Sequence, residues 1–212
     1  MLLACIIVSL NFTTRGVLSV LETQMPQIWQ SSLHASQRTL GAWVSLAGGV
    51  GVMHFLCIGV GAYKLTGWSD FVQMLVGLVL MGVACGLGFV WVGPDEAAPG
   101  GSPLPSWQYI VSLILLYAIA YPLANSAVLG LFSTLQRAGR QGGMQGGFAL
   151  GGSLARVLCP LLSAFIDTYV ERGGGFAFAL LLVCFSILGG VLWDLDDLEH
   201  SSGQAQRHSD HG

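Results

Sequence analysis

"QGGMQGGFALGGSLARVLCP", residues 141–160, decides how this chain is read: a run of small and apolar residues that carries an arginine four positions before a proline. At 3.6 residues per turn, Gly143, Gly147, Gly151 and Ala155 repeat along one ridge of a helix, the small-xxx-small pattern on which another helix approaches closely in a membrane. About 140° around the same helix lie Gln145, Ala149, Gly152, Arg156, Ser163 and Asp167, so one side is expected to pack and the other to be polar. An ionisable side chain inside a span costs about 2.5–3.5 kcal/mol on insertion scales, so Arg156 is expected to face the bundle interior or a watery cavity. Pro160 has no N–H to reach back four residues, which frees the carbonyl of Arg156 itself.

The surrounding chain has the composition such a helix needs. Of 212 residues, 53% are hydrophobic and 9% charged, and the mean hydropathy is +0.69. A soluble domain carries about a quarter charged residues. Stretches long enough to cross a bilayer, about 17 to 25 residues, occur at 2–29, 40–63, 70–93, 107–135, 144–167 and 174–193. The expected fold is an all-α, six-transmembrane-helix bundle over residues 1–193, followed by a polar tail, 194–212, expected to be disordered. Trp29, Trp68, Trp91, Trp107 and Trp193 fall at span edges, where an amphipathic ring sits at the headgroup level. Lys64, Arg137, Arg140 and Arg207 outnumber Arg38 and Arg172 on the other side, which puts both termini and the tail in the cytoplasm.

Several function classes drop out. The net charge is −3, and four acids (Asp194, Asp196, Asp197, Glu199) crowd after the last span, so no basic surface suits nucleic acid. Cys5, Cys57, Cys85, Cys159 and Cys184 sit in apolar runs without a CxxC pair, which points to packing and to neither zinc nor disulfides. No metal or cofactor is expected; His208 and His211 belong to the solvated tail. "MLLACIIVSL" lacks a basic leader and is read as the start of the first span, and the sequon at Asn11 falls within that span, out of reach of glycosylation.

Within the first span Asn11, Arg15, Ser19, Glu22 and Pro26 share one stripe. Arg15 and Glu22 are two turns apart, roughly 10 Å by helical rise, so each needs a further group between them or a partner elsewhere. Pro26 frees the carbonyl of Glu22, and Pro122 frees that of Ala118 beside Tyr117, Tyr121 and Asn125. His54 lies mid-span and reads either as a proton carrier or as a hydrogen-bonded neutral core histidine. The candidate substrate or ion pathway is Arg15, Glu22, His54, Tyr121, Asn125, Gln145 and Arg156. The competing reading makes the charged members a structural ion-pair network and the polar ones interhelical glue.

The path "YPLANSAVLGLFSTLQRAGRQGGMQGGFALGGSLARVLCPLLSAFI" resembles the tenth and eleventh helices of major facilitator superfamily transporters. It has their basic loop (Arg137 to Arg140), their QG-x-x-QG run (Gln141-Gly142, Gln145-Gly146) and an R-x-x-G-P ending at Arg156 and Pro160, with Cys159 where glycine is usual. The flavour is closest to the lysosomal and SPX-associated branch. In "YKLTGWSD", Lys64, Gly67 and Asp70 stand as relics of the family's signature loop. The resemblance implies the C-terminal six-helix half of a twelve-helix secondary transporter whose N-terminal half is absent, or is replaced by a second copy. The expected activity is transport of a small, anionic solute drawn by Arg156 and Arg15, with a coupled proton taken up by Glu22 or His54. The chain is then an integral, multi-pass membrane protein of an endolysosomal, vacuolar or plasma membrane, its partners being the lipid bilayer and the solute.

The alternative is a non-transporting membrane scaffold. An enzyme is not expected: a rhomboid-type protease needs a histidine on a helix after its serine, and His54 precedes Gly152-Ser153.

Overall fold

The computed structural model describes residues 2–31, 36–59, 68–91, 106–135, 141–169, 175 and 177–191. Helix α1 (Leu2–Ser31) is followed by α2 (Gln37–Gly59) and α3 (Asp70–Trp91). The fourth span is composite: α4 (Ser106–Ile114), a π-helical segment (Leu115–Ala120) and α5 (Tyr121–Leu135). Then come α6 (Gln141–Tyr169) and the shorter apolar α7 (Ala177–Val191). Among the described residues, five helices are long and apolar enough to cross a membrane, against the six spans expected from hydropathy. The sixth is described for about 15 residues' worth of rise, roughly 22 Å, short of a 30 Å hydrocarbon core. The expected spans match closely in the first, third, fourth and fifth positions, while residues 60–63, 192–193 and the tail lie outside the described residues, as do Lys64, Arg137, Arg140, Arg172 and Arg207.

Hydrogen-bond register gives the helix directions. Asn11 bonds to Phe148 and Ser19 to Arg156, both with a separation of 137. A constant difference means α1 and α6 run parallel, as the first and fifth members of an up-down chain must. Between α3 and the fourth span the sense is opposite: Asp70 faces Gly130, Gly77 faces Ala124 and Ala84 accepts from Ser112, one number rising as the other falls.

The first span is the centre of the bundle. In α1, 61% of the most apolar window is buried, against 11% in α2. Val17, Val20, Met74, Leu78, Met81, Leu116, Val128 and Val183 close the core from α1, α3, the fourth span and α7. Helix α2 touches its neighbours along a single stripe, Leu40, Ala47 and Gly51, the spacing of one helix face. Its other faces, with Leu46, Val50, Met53 and Leu56, are open, as are Leu154, Val157, Leu161 and Phe165 on α6. Apolar surface of that extent belongs against lipid or protein and not water.

Close approach occurs where glycine permits it. A Cβ at Gly77 would lie 2.6 Å from the Ala124 nitrogen, and one at Gly51 would lie 2.8 Å from the Tyr117 oxygen. In both cases backbone fills the space a side chain would need.

Candidate functional site

The seam between α1 and α6 collects most of the polar chemistry. On α6 it is formed by Phe148, Gly151, Gly152, Ala155, Cys159 and Ser163, all buried. The expected ridge is half right: Gly151 and Ala155 pack on α1, but Gly143 and Gly147 are exposed with nothing within 4 Å. Phe148 stacks on Phe132 of α5, ring centroids 4.3 Å apart. Gly152, expected on the polar face, is in the seam. A Cβ there would meet Arg15 Cδ at 2.6 Å, Asn11 Nδ2 at 2.9 Å and Arg15 Nε at 3.0 Å. On the other side of the seam Gly16 accepts the Cys159 thiol, whose Sγ would be 2.5 Å from a Cβ.

The proline arithmetic finds its donors. The Arg156 carbonyl that Pro160 leaves without a helical partner accepts a hydrogen bond from Ser19 Oγ at 3.2 Å. The Ala118 carbonyl accepts from His54 Nδ1 at 2.8 Å; a carbonyl has no proton to give, so Nδ1 is the donor. Neither acceptor is bare. Each is met by a polar side chain on a neighbouring helix, because an unsatisfied carbonyl at membrane depth costs more than placing a hydroxyl or imidazole there.

The seven candidate residues separate into groups. Asn11 is fully buried and donates from Nδ2 to the Phe148 carbonyl at 2.7 Å, which removes the sequon from any glycosylation. One turn on, Arg15 is half-buried, its Nε enclosed without a hydrogen-bond partner among the described residues. Arg156 is exposed, and so are Glu22 and Gln145. Arg15 therefore stands beside Gly152, one turn of α6 before Arg156, and both cations occupy the same flank of the seam. By helical phase Glu22 and Gln145 share that flank. Ser163 and Asp167, expected beside Arg156 on the open polar face, turn inward.

Asn125 is buried with Oδ1 unpartnered among the described residues, and Tyr121 is half-buried at the edge of the core. They stand one turn apart on α5, with no hydrogen bond to Arg15, Glu22 or Arg156 among the described residues. His54 belongs with this second group through the Ala118 carbonyl.

A third cluster was not anticipated. Gln24, buried, donates from Nε2 to Ser163 Oγ at 2.8 Å and to Asp167 Oδ2, while Asp167 Oδ1 accepts the Gly175 N–H at 2.8 Å. It ties the end of α1 to α6 and to the approach to α7. Gln24 falls off the Asn11–Glu22 stripe by helical phase, so no spacing in the sequence marks it. A groove of about 490 Å³ between α1 and α7, lined by Cys5, Phe12, Thr13, Leu182, Phe185 and Ser186 among others, holds none of the candidate residues. Its hydroxyls are used internally, Ser186 to Thr13 at 2.6 Å and Ser9 to the Cys5 carbonyl at 2.9 Å. Among the described residues no three His, Cys, Asp or Glu side chains converge as metal ligands.

Compared with models of known protein families and with curated proteins, the sequence matches none.

Proposed function

We propose that this bundle is one half of a secondary transporter of the major facilitator type and that it moves a small anionic solute along the flank marked by Arg15 and Arg156. The supporting observation is the division of Arg156 into two parts. Its carbonyl is tied to Ser19 within the α1–α6 seam, while its guanidinium stays exposed. A charge held on a fixed backbone and left without a protein partner among the described residues suits a mobile counter-ion, and a half-buried second guanidinium one turn away adds to the field. The fork geometry of arginine matches carboxylate and phosphate oxygens. Glu22, exposed on the same flank, is the carboxylate placed to carry a coupled proton. The parallel α1 and α6 and the antiparallel α3 and fourth span suit a six-helix half, and the second half is supplied by another segment or another copy.

The test is uptake into proteoliposomes of four labelled probes, inorganic phosphate, sulfate, lactate and citrate. Wild type is expected to take up at least one of them, with Arg156→Ala reducing the rate by tenfold or more at unchanged expression and unfolding midpoint. Equal uptake by the variant refutes the role of Arg156. A second reading, a membrane scaffold, draws on the open glycines of α2 (Gly41, Gly48, Gly49) and α6 (Gly143, Gly147), which have nothing within 4 Å. It requires no flux of any probe in either protein, together with loss of a defined assembly in the variant.

A further inference from the structure

The fourth span is continuous in sequence but not in helical phase. Its π segment, Leu115–Ala120, ends with the Tyr121 N–H bonded five residues back to the Leu116 carbonyl. A π turn holds one residue more than an α turn, which offsets everything after it by about 100°. That offset has a visible use. Ser112, before the segment, donates to the Ala84 carbonyl at 2.6 Å, and Ala124, after it, packs on Gly77. Both partners lie on α3. In an unbroken α-helix Ser112 and Ala124 would stand about 120° apart, and with one residue absorbed they stand about 20° apart, on one face. The π turn is what lets both halves of the span rest on the same neighbour.

Pro122 follows at once, and its missing N–H leaves two carbonyls at issue, Tyr117 five residues back and Ala118 four residues back. Both are covered from α2. The backbone at Gly51 lies over the Tyr117 oxygen, where a Cβ would be 2.8 Å away, and His54 Nδ1 donates to Ala118 at 2.8 Å. Gly51 and His54 are three residues apart on one face of α2, so a single helix surface serves both carbonyls.

We propose that His54 is a positioning residue. Its Nδ1–H takes the place of the amide proton that Pro122 lacks, holds the π turn, and so sets the face on which Tyr121 and Asn125 stand. Relevance to solute handling rests on the reading given under Proposed function; the clamp itself does not.

Asparagine is the discriminating substitution, because its amide nitrogen stands as many bonds from Cα as Nδ1 does and also donates. The experiment is hydrogen exchange by mass spectrometry over residues 112–125 in lipid nanodiscs. His54→Leu is expected to speed exchange in that stretch about tenfold, the worth of one hydrogen bond to a buried carbonyl, and His54→Asn by less than threefold. Pro122→Ala restores an N–H within the helix, so His54→Leu made in that background is expected to change exchange by less than twofold. Unfolding midpoints of wild type and the same four variants provide a second measurement with the same ordering. His54→Asn exchanging as fast as His54→Leu overturns the proposal, and so does an undiminished effect of His54→Leu beside Pro122→Ala. Neither readout needs solute flux, so a failed uptake experiment refutes the transporter reading and leaves this one standing.

Discussion

Gly152→Ala separates a rigid seam from an adjustable one. The added methyl would lie 2.6 Å from Arg15 Cδ, and ordinary contact begins at 3.4 Å, so something must withdraw by about 0.8 Å. Asn11 is pinned by its 2.7 Å bond to the Phe148 carbonyl, whereas Arg15 Nε has no partner among the described residues. Arg15 is therefore the group that moves furthest, while Asn11 Nδ2, 2.9 Å from the methyl, must give by about half an ångström. Shifting a long side chain off its preferred rotamer costs about 0.5–1.5 kcal/mol, and replacing a mid-helix glycine by alanine returns about 1 kcal/mol. The two nearly cancel, so stability is expected to stay within about 1 kcal/mol of wild type while Arg15 is pushed outward. Gly77→Ala is the contrast. There the methyl would meet Ala124 backbone, nitrogen at 2.6 Å and Cα at 2.8 Å, and only separation of α3 from α5 relieves it. Overpacking of that kind costs about 1–3 kcal/mol. The assay is reversible unfolding of both variants in the same detergent and lipid mixture. A loss at Gly152 as large as the loss at Gly77 would mean that Arg15 is locked, and would refute the claim that its side chain can give way.

Other expectations follow from the same contacts. Ser19→Ala strands the Arg156 carbonyl and should lower stability by about 1–2 kcal/mol, measured by unfolding, with Pro160→Ala suppressing most of the loss by restoring a helical N–H. Asp167→Ala should cost about 1.5–3 kcal/mol by removing the acceptor for Gln24 and for the Gly175 amide; hydrogen exchange at Gly175 should rise in parallel, and an unchanged rate there would count against the cluster. Gly49→Ala, on the open side of α2 with nothing within 4 Å, should leave stability equal or raise it by about 0.5–1 kcal/mol in the same unfolding assay.

Much of the fold is legible along the chain because membrane solubility is a local property. Hydropathy windows mark the spans, and the five described crossing helices lie where they are expected. The polar stripe on α1 is also legible, since a step of 100° per residue places Asn11, Arg15 and Ser19 together whatever surrounds them. The seam on α6 is not. Gly143, Gly147, Gly151 and Ala155 are equivalent by spacing, and only the register of α6 on α1 decides that the last two pack while the first two stay open. Nor does any local pattern announce the π turn, because its benefit is paid at a distance, in bringing Ser112 and Ala124 to the same face of α3.

Two of the three proline-freed carbonyls mark the division. That Arg156 and Ala118 each lose a helical donor is settled by covalent structure: proline has no N–H, and a helix reaches back four residues. Which group answers them is settled between helices. Ser19 answers one because α1 and α6 run parallel at a fixed offset, and His54 answers the other because Gly51 lets α2 approach the π segment. By itself the sequence determined the membrane character, the spans and the places where backbone bonding is broken. Tertiary structure alone decided that these breaks are filled from within, and that the guanidinium of Arg156, not its carbonyl, is what remains open.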